Sequence, residues 1–258
     1  MHALLRLLMR AWSRDVTDAL STMPRAHGAP HVRTAGPNPD RVLLFGNGLA
    51  VGWGVASHEL AIPGELTRSL SALTGRGAEV DIAAYPELKL AGVHRAIEER
   101  DLGAYDAIIA IVGSSDTLSL TPRAHWRSTM RGLLAMLVAR SSASTRIMVI
   151  GIPQFRRVPP FDNAFGKIAS SHATTLNAVT RELCLAHPRV SYTLLSSAAT
   201  QSQRLGTPER YRLWGRDIAN QLVPALNDAA RSSTTSANPR ERAPQTVTTV
   251  EGADATAG

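Results

Sequence analysis

At 258 residues the chain has room for one large domain or two small ones, and 44% hydrophobic against 19% charged residues is the balance of a globular protein that buries a core. No stretch approaches the roughly 18 uninterrupted apolar residues of a membrane-crossing helix, and a single cysteine, Cys184, excludes an internal disulfide and points to the cytoplasm. The net charge of +7 invites a nucleic-acid partner, but the cations are nearly all arginines scattered along the chain and aromatics make up only 5%, which weighs against one.

Taken in order, residues 1–20 set Leu4, Leu8, Trp12 and Val16 on one side of a helix, with Leu5 and Met9 beside them. Arg6, Arg10 and Arg14 fall opposite. This amphipathic helix is expected to dock on its own domain or a partner, or to make a peripheral membrane contact. Arginines break its apolar run and no small-residue cleavage site follows, which argues against a signal peptide. Residues 21–38, rich in Pro and Gly, read as a linker. From 39 to 228 strand and helix patterns alternate. Strands are expected at Arg41–Phe45, Glu79–Ala83, Ala107–Val112, Arg146–Ile150 and Val190–Leu194. Helices are expected at Pro63–Leu73, Leu90–Arg100, Pro122–Arg140, Phe165–Ala186 and Pro208–Leu226. Strands such as AIIAIV are apolar without alternation, as in a parallel sheet covered on both faces. The fold class is therefore α/β, a three-layer flavodoxin-like domain around a parallel five-stranded sheet. Residues 229–258 are polar and aperiodic and read as a disordered tail.

Ligand chemistry in such sheets gathers at the carboxyl ends of the strands. Here those ends carry Gly46-Asn47-Gly48, then Gly113-Ser114-Ser115-Asp116, then Gly151-Ile152-Pro153. The first turn, with Gly52 following, loosely matches a dinucleotide fingerprint and keeps a nucleotide-binding Rossmann-like reading open. That motif needs a helix to begin at once and an acidic residue about twenty positions on, and neither is evident.

The blocks GNGL, GSSD and YRLWG, with the intervening text DAIIAIVGSSDTLSLTP, RIMVIGIPQ and SHATTLNAVTRELCLAHPRVSYTLL, resemble in order and spacing the SGNH (GDSL) hydrolase family. The resemblance covers about residues 41 to 227 and implies an SGNH-hydrolase-like fold. It implies ester or acyl hydrolysis through a serine in the first block. Oxyanion donors come from a glycine and an asparagine in the second and third blocks, and a base and its orienting acid from a D-x-x-H near the end. A serine hydroxyl needs such a base, and the oxyanion needs preorganised donors.

The family's chemical groups are substituted here. Gly46 keeps the first glycine, but Asn47 stands at the aspartate position and Gly48 at the serine position. Glu87 falls, in a loose alignment, where the second-block glycine belongs. Gly113 and Asp116 are kept while Ser115 replaces the asparagine, and Thr207 and Arg210 fall at the acid and base positions. Arginine stays protonated near neutral pH and cannot act as a base. Ser57-His58 is a candidate relocated dyad, and Ser114 lies at the right strand end without an evident base. Asp116 reads as a tie for its loop, and His125, His172 and His187 as surface or packing residues. No spacing suggests a metal, and no cofactor is expected.

Three readings follow: a catalytically degenerate ligand-sensing or interaction module, a divergent esterase or acyltransferase with a rearranged site, and the nucleotide binder. Replacing two carboxylates and a histidine by Asn47, Thr207 and Arg210 favours a small anionic or acyl ligand, with Arg210 either facing the pocket or reaching out to solvent.

Overall fold

A computed structural model describes residues 2–154, 159–195 and 206–237. Helix α1 (His2–Ser21) leads into β1 (His31–Thr34), β2 (Asp40–Gly46), α2 (Ile62–Thr74) and β3 (Ala78–Ala84). Next come α3 (Val93–Ala96), β4 (Ala107–Ile111), α4 (Ser114–Leu118), α5 (Arg123–Arg140) and β5 (Arg146–Ile150). The chain continues through α6 (Ala164–Cys184), β6 (Val190–Thr193) and α7 (Pro208–Ala237). The sheet order is β1-β3-β2-β4-β5-β6, parallel throughout except that β1 runs antiparallel to β3.

The strand pleat divides the core into two layers. On one side Val42, Leu44, Ile109 and Ile150 meet Leu66 and Leu70 of α2 and Trp214 and Ile218 of α7. On the other, Leu43, Phe45, Ile108 and Val149 meet Trp126 and Leu134 of α5, Leu176 of α6 and, from α1, Met9, Trp12 and Val16. At the base of β2, Arg76 reaches the buried Asp40 through Nε at 3.0 Å and Nη2 at 2.8 Å, and its Nη1 donates to Asn227 Oδ1 at 2.9 Å. One guanidinium thus ties β2 and the α2–β3 turn to α7.

All five expected strands are present, and the structure departs from the sequence expectation in three places. The segment read as a linker supplies the edge strand β1, whose His31 Nδ1 lies 2.7 Å from Asp81 Oδ1 on β3. It is laced further by bridges Arg25–Trp53 and His27–Ser57, so residues 21–38 are part of the domain. The long helix expected from Leu90 to Arg100 is one 3₁₀ turn, Leu90–Gly92, plus the four residues of α3. Beyond the end of α3, the carbonyls of Glu98 (2.9 Å) and Arg100 (3.1 Å) accept from Arg140 Nη2. Finally, α7 continues through Pro224 to Ala237, into the expected tail, where Ser232 Oγ donates to the Asp228 carbonyl at 2.9 Å and Arg231 pairs with Asp228 one turn back. Residues 238–258 of that expected tail lie outside the described residues.

Helix α1 docks on its own domain. Trp12 stacks on Phe165 (5.7 Å between centroids, 28°) and meets Phe161 edge-on at 6.2 Å. Its opposite face, with Arg10 and Arg14, is turned outward beside the carboxyl ends of β2 and β4. Among the described residues no helix is long and apolar enough to cross a membrane.

Candidate functional site

The turn after β2 is shaped by close backbone approach. A Cβ on Gly46 would lie 1.8 Å from the Ile111 carbonyl oxygen, so only glycine lets β2 and β4 end side by side here. Gly46 O then accepts from Tyr85 N at 2.9 Å, and Asn47 N donates to Ile111 O at 2.8 Å. Gly48 has φ +59 and opens a 3₁₀ turn, Gly48–Val51, that ends at Gly52. The next α-helix in the chain begins only at Ile62, whereas a dinucleotide cradle requires the helix to begin directly after the glycine turn.

Asn47 is buried and ties the turn after β2 to the loop after β3 and to the start of α4. Its Nδ2 donates to Leu88 O and, at 3.0 Å, to Ser115 Oγ, while its Oδ1 accepts from Ser114 N at 3.4 Å. Ser115 in turn gives its only proton to Pro86 O at 3.1 Å, so the hydroxyl at the oxyanion-donor position is already engaged. Asp116 is buried and accepts from Leu90 N (2.9 Å) and Thr121 Oγ1 (3.0 Å). Burial pushes its carboxyl above the ordinary range against those two bonds, and it acts as the tie read from the sequence.

Gly48, which the resemblance sets at the nucleophile's position, has the Ser114 side chain packed close against it. A Cβ there would lie 2.3 Å from Ser114 Oγ, so the hydroxyl of Ser114 occupies that place. Leu49 lines one cavity and Gly48 another. One, of about 460 Å³, lies against Leu49, Ile152, Leu194 and Trp214. The other, of about 310 Å³, has Gly48 and Ser115 among its lining residues, with Arg10, Arg14, Glu87 and Lys89 around it.

The remaining candidates sit elsewhere. Thr207 accepts from Arg210 N through Oγ1 at 3.4 Å, capping the start of α7. Arg210 does not reach solvent: it is 6% exposed and its guanidinium lies 5.0 Å from the centre of the Trp214 ring. It is not among the residues lining either of these two cavities, and its burial corrects the expectation that it reaches out to solvent. Ser57 precedes the short 3₁₀ turn His58–Leu60. His58 is half-buried with Nδ1 unpartnered, burial lowers its pKa, and neither it nor Ser57 lines a cavity at Gly48. Cys184 is buried, and its thiol is pushed up to about 11 by burial, which makes it inert.

Comparison with solved structures places this arrangement. A carbohydrate acetylesterase from Sinorhizobium meliloti superposes with a TM-score of 0.56 at 15% identity, covering 72% of this chain and 99% of that one. A putative arylesterase from Agrobacterium tumefaciens gives 0.55 at 20% identity, with 72% and 99% covered. The fold is SGNH-hydrolase-like. The inhibitor-bound aryl esterase of M. smegmatis gives 0.53 at 17% identity over 72% and 99%. No protein-family model matches the chain, and no curated protein matches it. In this SGNH-hydrolase-like sheet the residues missed by sequence reasoning are the cavity's cations Arg10, Arg14 and Lys89. The arginine face of α1 was legible as a periodicity, but nothing local showed what it covers.

Proposed function

We propose that the protein is a non-catalytic relative of the SGNH hydrolases, a ligand-sensing or interaction module that uses the space beside Gly48. The observation that supports this reading is the contact just described, in which Ser114 Oγ takes the volume of a nucleophile's side chain. Among the described residues no histidine lines either cavity. Without a base, a serine hydroxyl stays a weak nucleophile. The purified protein is expected to show no hydrolysis of short-chain nitrophenyl esters above background and no labelling by a fluorophosphonate probe. Labelling of the unaltered chain overturns the proposal.

A divergent esterase with a rearranged site is the second reading, favoured by the same Ser114 hydroxyl lying where a nucleophile's would. It requires labelling that disappears in Ser114→Ala. The single buried cysteine fits a cytoplasmic protein. A peripheral membrane or partner contact through residues 1–20 rests on Leu4, Leu7 and Leu8, which are 61%, 63% and 45% exposed, and pelleting with anionic liposomes tests it.

A further inference from the structure

The cavity roofed by α1 has an unusual inventory of hydrogen-bond donors. Four hydroxyls line it, and each gives its proton to a backbone carbonyl: Ser13 to Arg10 O (2.9 Å), Thr17 to Ser13 O (2.8 Å), Ser115 to Pro86 O (3.1 Å) and Ser119 to Ser115 O (2.8 Å). Besides the Trp53 indole, the side-chain donors left for a ligand are those of Arg10, Arg14 and Lys89. Arg10 and Arg14 lie one helical turn apart on α1, so their heads share a face, and Lys89 approaches from the loop after β3. Among the described residues none of the three forms an ion pair, and the carboxylate on the same cavity is Glu87 alone. Three cations thus face one anion, with Trp53, Leu20 and Leu118 offering apolar surface beside them.

We infer that this cavity binds a small organic anion, its carboxylate or phosphate held at the rim by Arg10, Arg14 and Lys89 and its short apolar body resting on Trp53 and Leu118. A neutral ligand leaves cationic donors without partners, whereas an anion's oxygens satisfy them with charge-assisted bonds. The inference rests on the non-catalytic reading, because it makes the old nucleophile turn a wall of the binding site. It places the anion on Arg10, Arg14 and Lys89 rather than on Arg210, which is buried on Trp214.

Titration calorimetry of the full chain with benzoate, phenyl phosphate and neutral benzamide tests it, with the half-buried Trp53 as a fluorescence reporter. Either anion is expected to bind, benzamide is not, and affinity is expected to fall with added salt. Arg14→Gln and Lys89→Gln are exposed substitutions, each expected to weaken binding about tenfold, as losing one charge-assisted contact does. Arg212→Gln, on the exposed side of α7, is expected to change nothing. Equal binding of benzamide, no binding of either anion at millimolar concentration, or full binding by the Arg14→Gln/Lys89→Gln double variant overturns the site. Fluorophosphonate labelling of the same samples separates the two ideas. A protein that labels and binds anions refutes only the non-catalytic reading, and one that does neither refutes only the site.

Discussion

Introducing a side chain at Gly48 is the sharpest perturbation of the site. The residue sits at φ +59, where an L-residue costs about 1–2 kcal/mol. Its Cβ would also lie 2.3 Å from Ser114 Oγ and 3.1 Å from Ser114 Cβ, so the hydroxyl has to turn away, at about 0.5–1.5 kcal/mol if no staggered position is free. Gly48→Ser is therefore expected to destabilise the domain by about 1.5–3.5 kcal/mol. Ser114→Ala removes the oxygen and relieves only the second part, so the two substitutions should couple by about 0.5–1.5 kcal/mol in a double-mutant cycle. Urea titration of the four proteins, with unchanged m-values, measures that coupling. Strict additivity refutes the claim that Ser114 fills the nucleophile's place.

The same variants report on chemistry. Gly48→Ser should not hydrolyse esters, because no histidine among the described residues lines either cavity to take its proton. The smallest set worth testing for gain of activity adds Ser115→Asn, Thr207→Asp and Arg210→His. Strong fluorophosphonate labelling of Gly48→Ser alone reveals a working base, with Glu87 of the same cavity the first residue to test.

Other outcomes follow from packing and charge. Trp12, only 9% exposed between Phe161 and Phe165, is expected to lose about 3–5 kcal/mol as Trp12→Ala. Removing residues 1–37, which from sequence should leave the domain intact, instead strips Met9, Trp12, Val16 and β1 and is expected to abolish a cooperative thermal transition. Arg76→Ala strands the buried Asp40 and should cost about 3–5 kcal/mol in urea titration, with Arg76→Lys recovering part. Burial lowers the folded pKa of His58 below its ordinary 6.5, so its contribution to stability is full above that value and is lost as pH falls toward the lowered one. His58→Gln should flatten the melting-temperature profile across that window, and an unchanged profile refutes the assignment.

The five parallel strands were legible because runs such as Val42–Phe45 and Ile108–Ile111 are buried on both faces and need no partner to be recognised. The edge strand β1 was not, since only Val32 of its four residues is buried and prolines and glycines surround it. Periodicity showed that α1 has an apolar face. It did not show that this face meets Phe161 and Phe165, nor that Arg10 and Arg14 then border Gly48, because those contacts join residues far apart in sequence. The side chains Asn47, Gly48 and Ser115 at the strand ends could be read residue by residue, whereas the burial of Arg210 on Trp214 depends on the packing of α7 as a whole.

The substitutions at those positions also depend on one another, which bears on the non-catalytic reading. Asn47 directs both amide hydrogens at acceptors, Leu88 O and Ser115 Oγ, and an aspartate there would set a buried charge against the Leu88 carbonyl with no hydrogen to give. Ser115 can accept from Asn47 because its own proton goes to Pro86. A larger asparagine at 115 would have to find other partners in a space already spanned by that bond. Ser114 N in turn leans on Asn47 Oδ1 while Ser114 Oγ covers Gly48. Each family residue restored alone thus breaks bonds that its neighbours now rely on, before it can contribute to chemistry. Single reversions are expected to run downhill in stability without a gain in turnover, and only a concerted set could reopen the site.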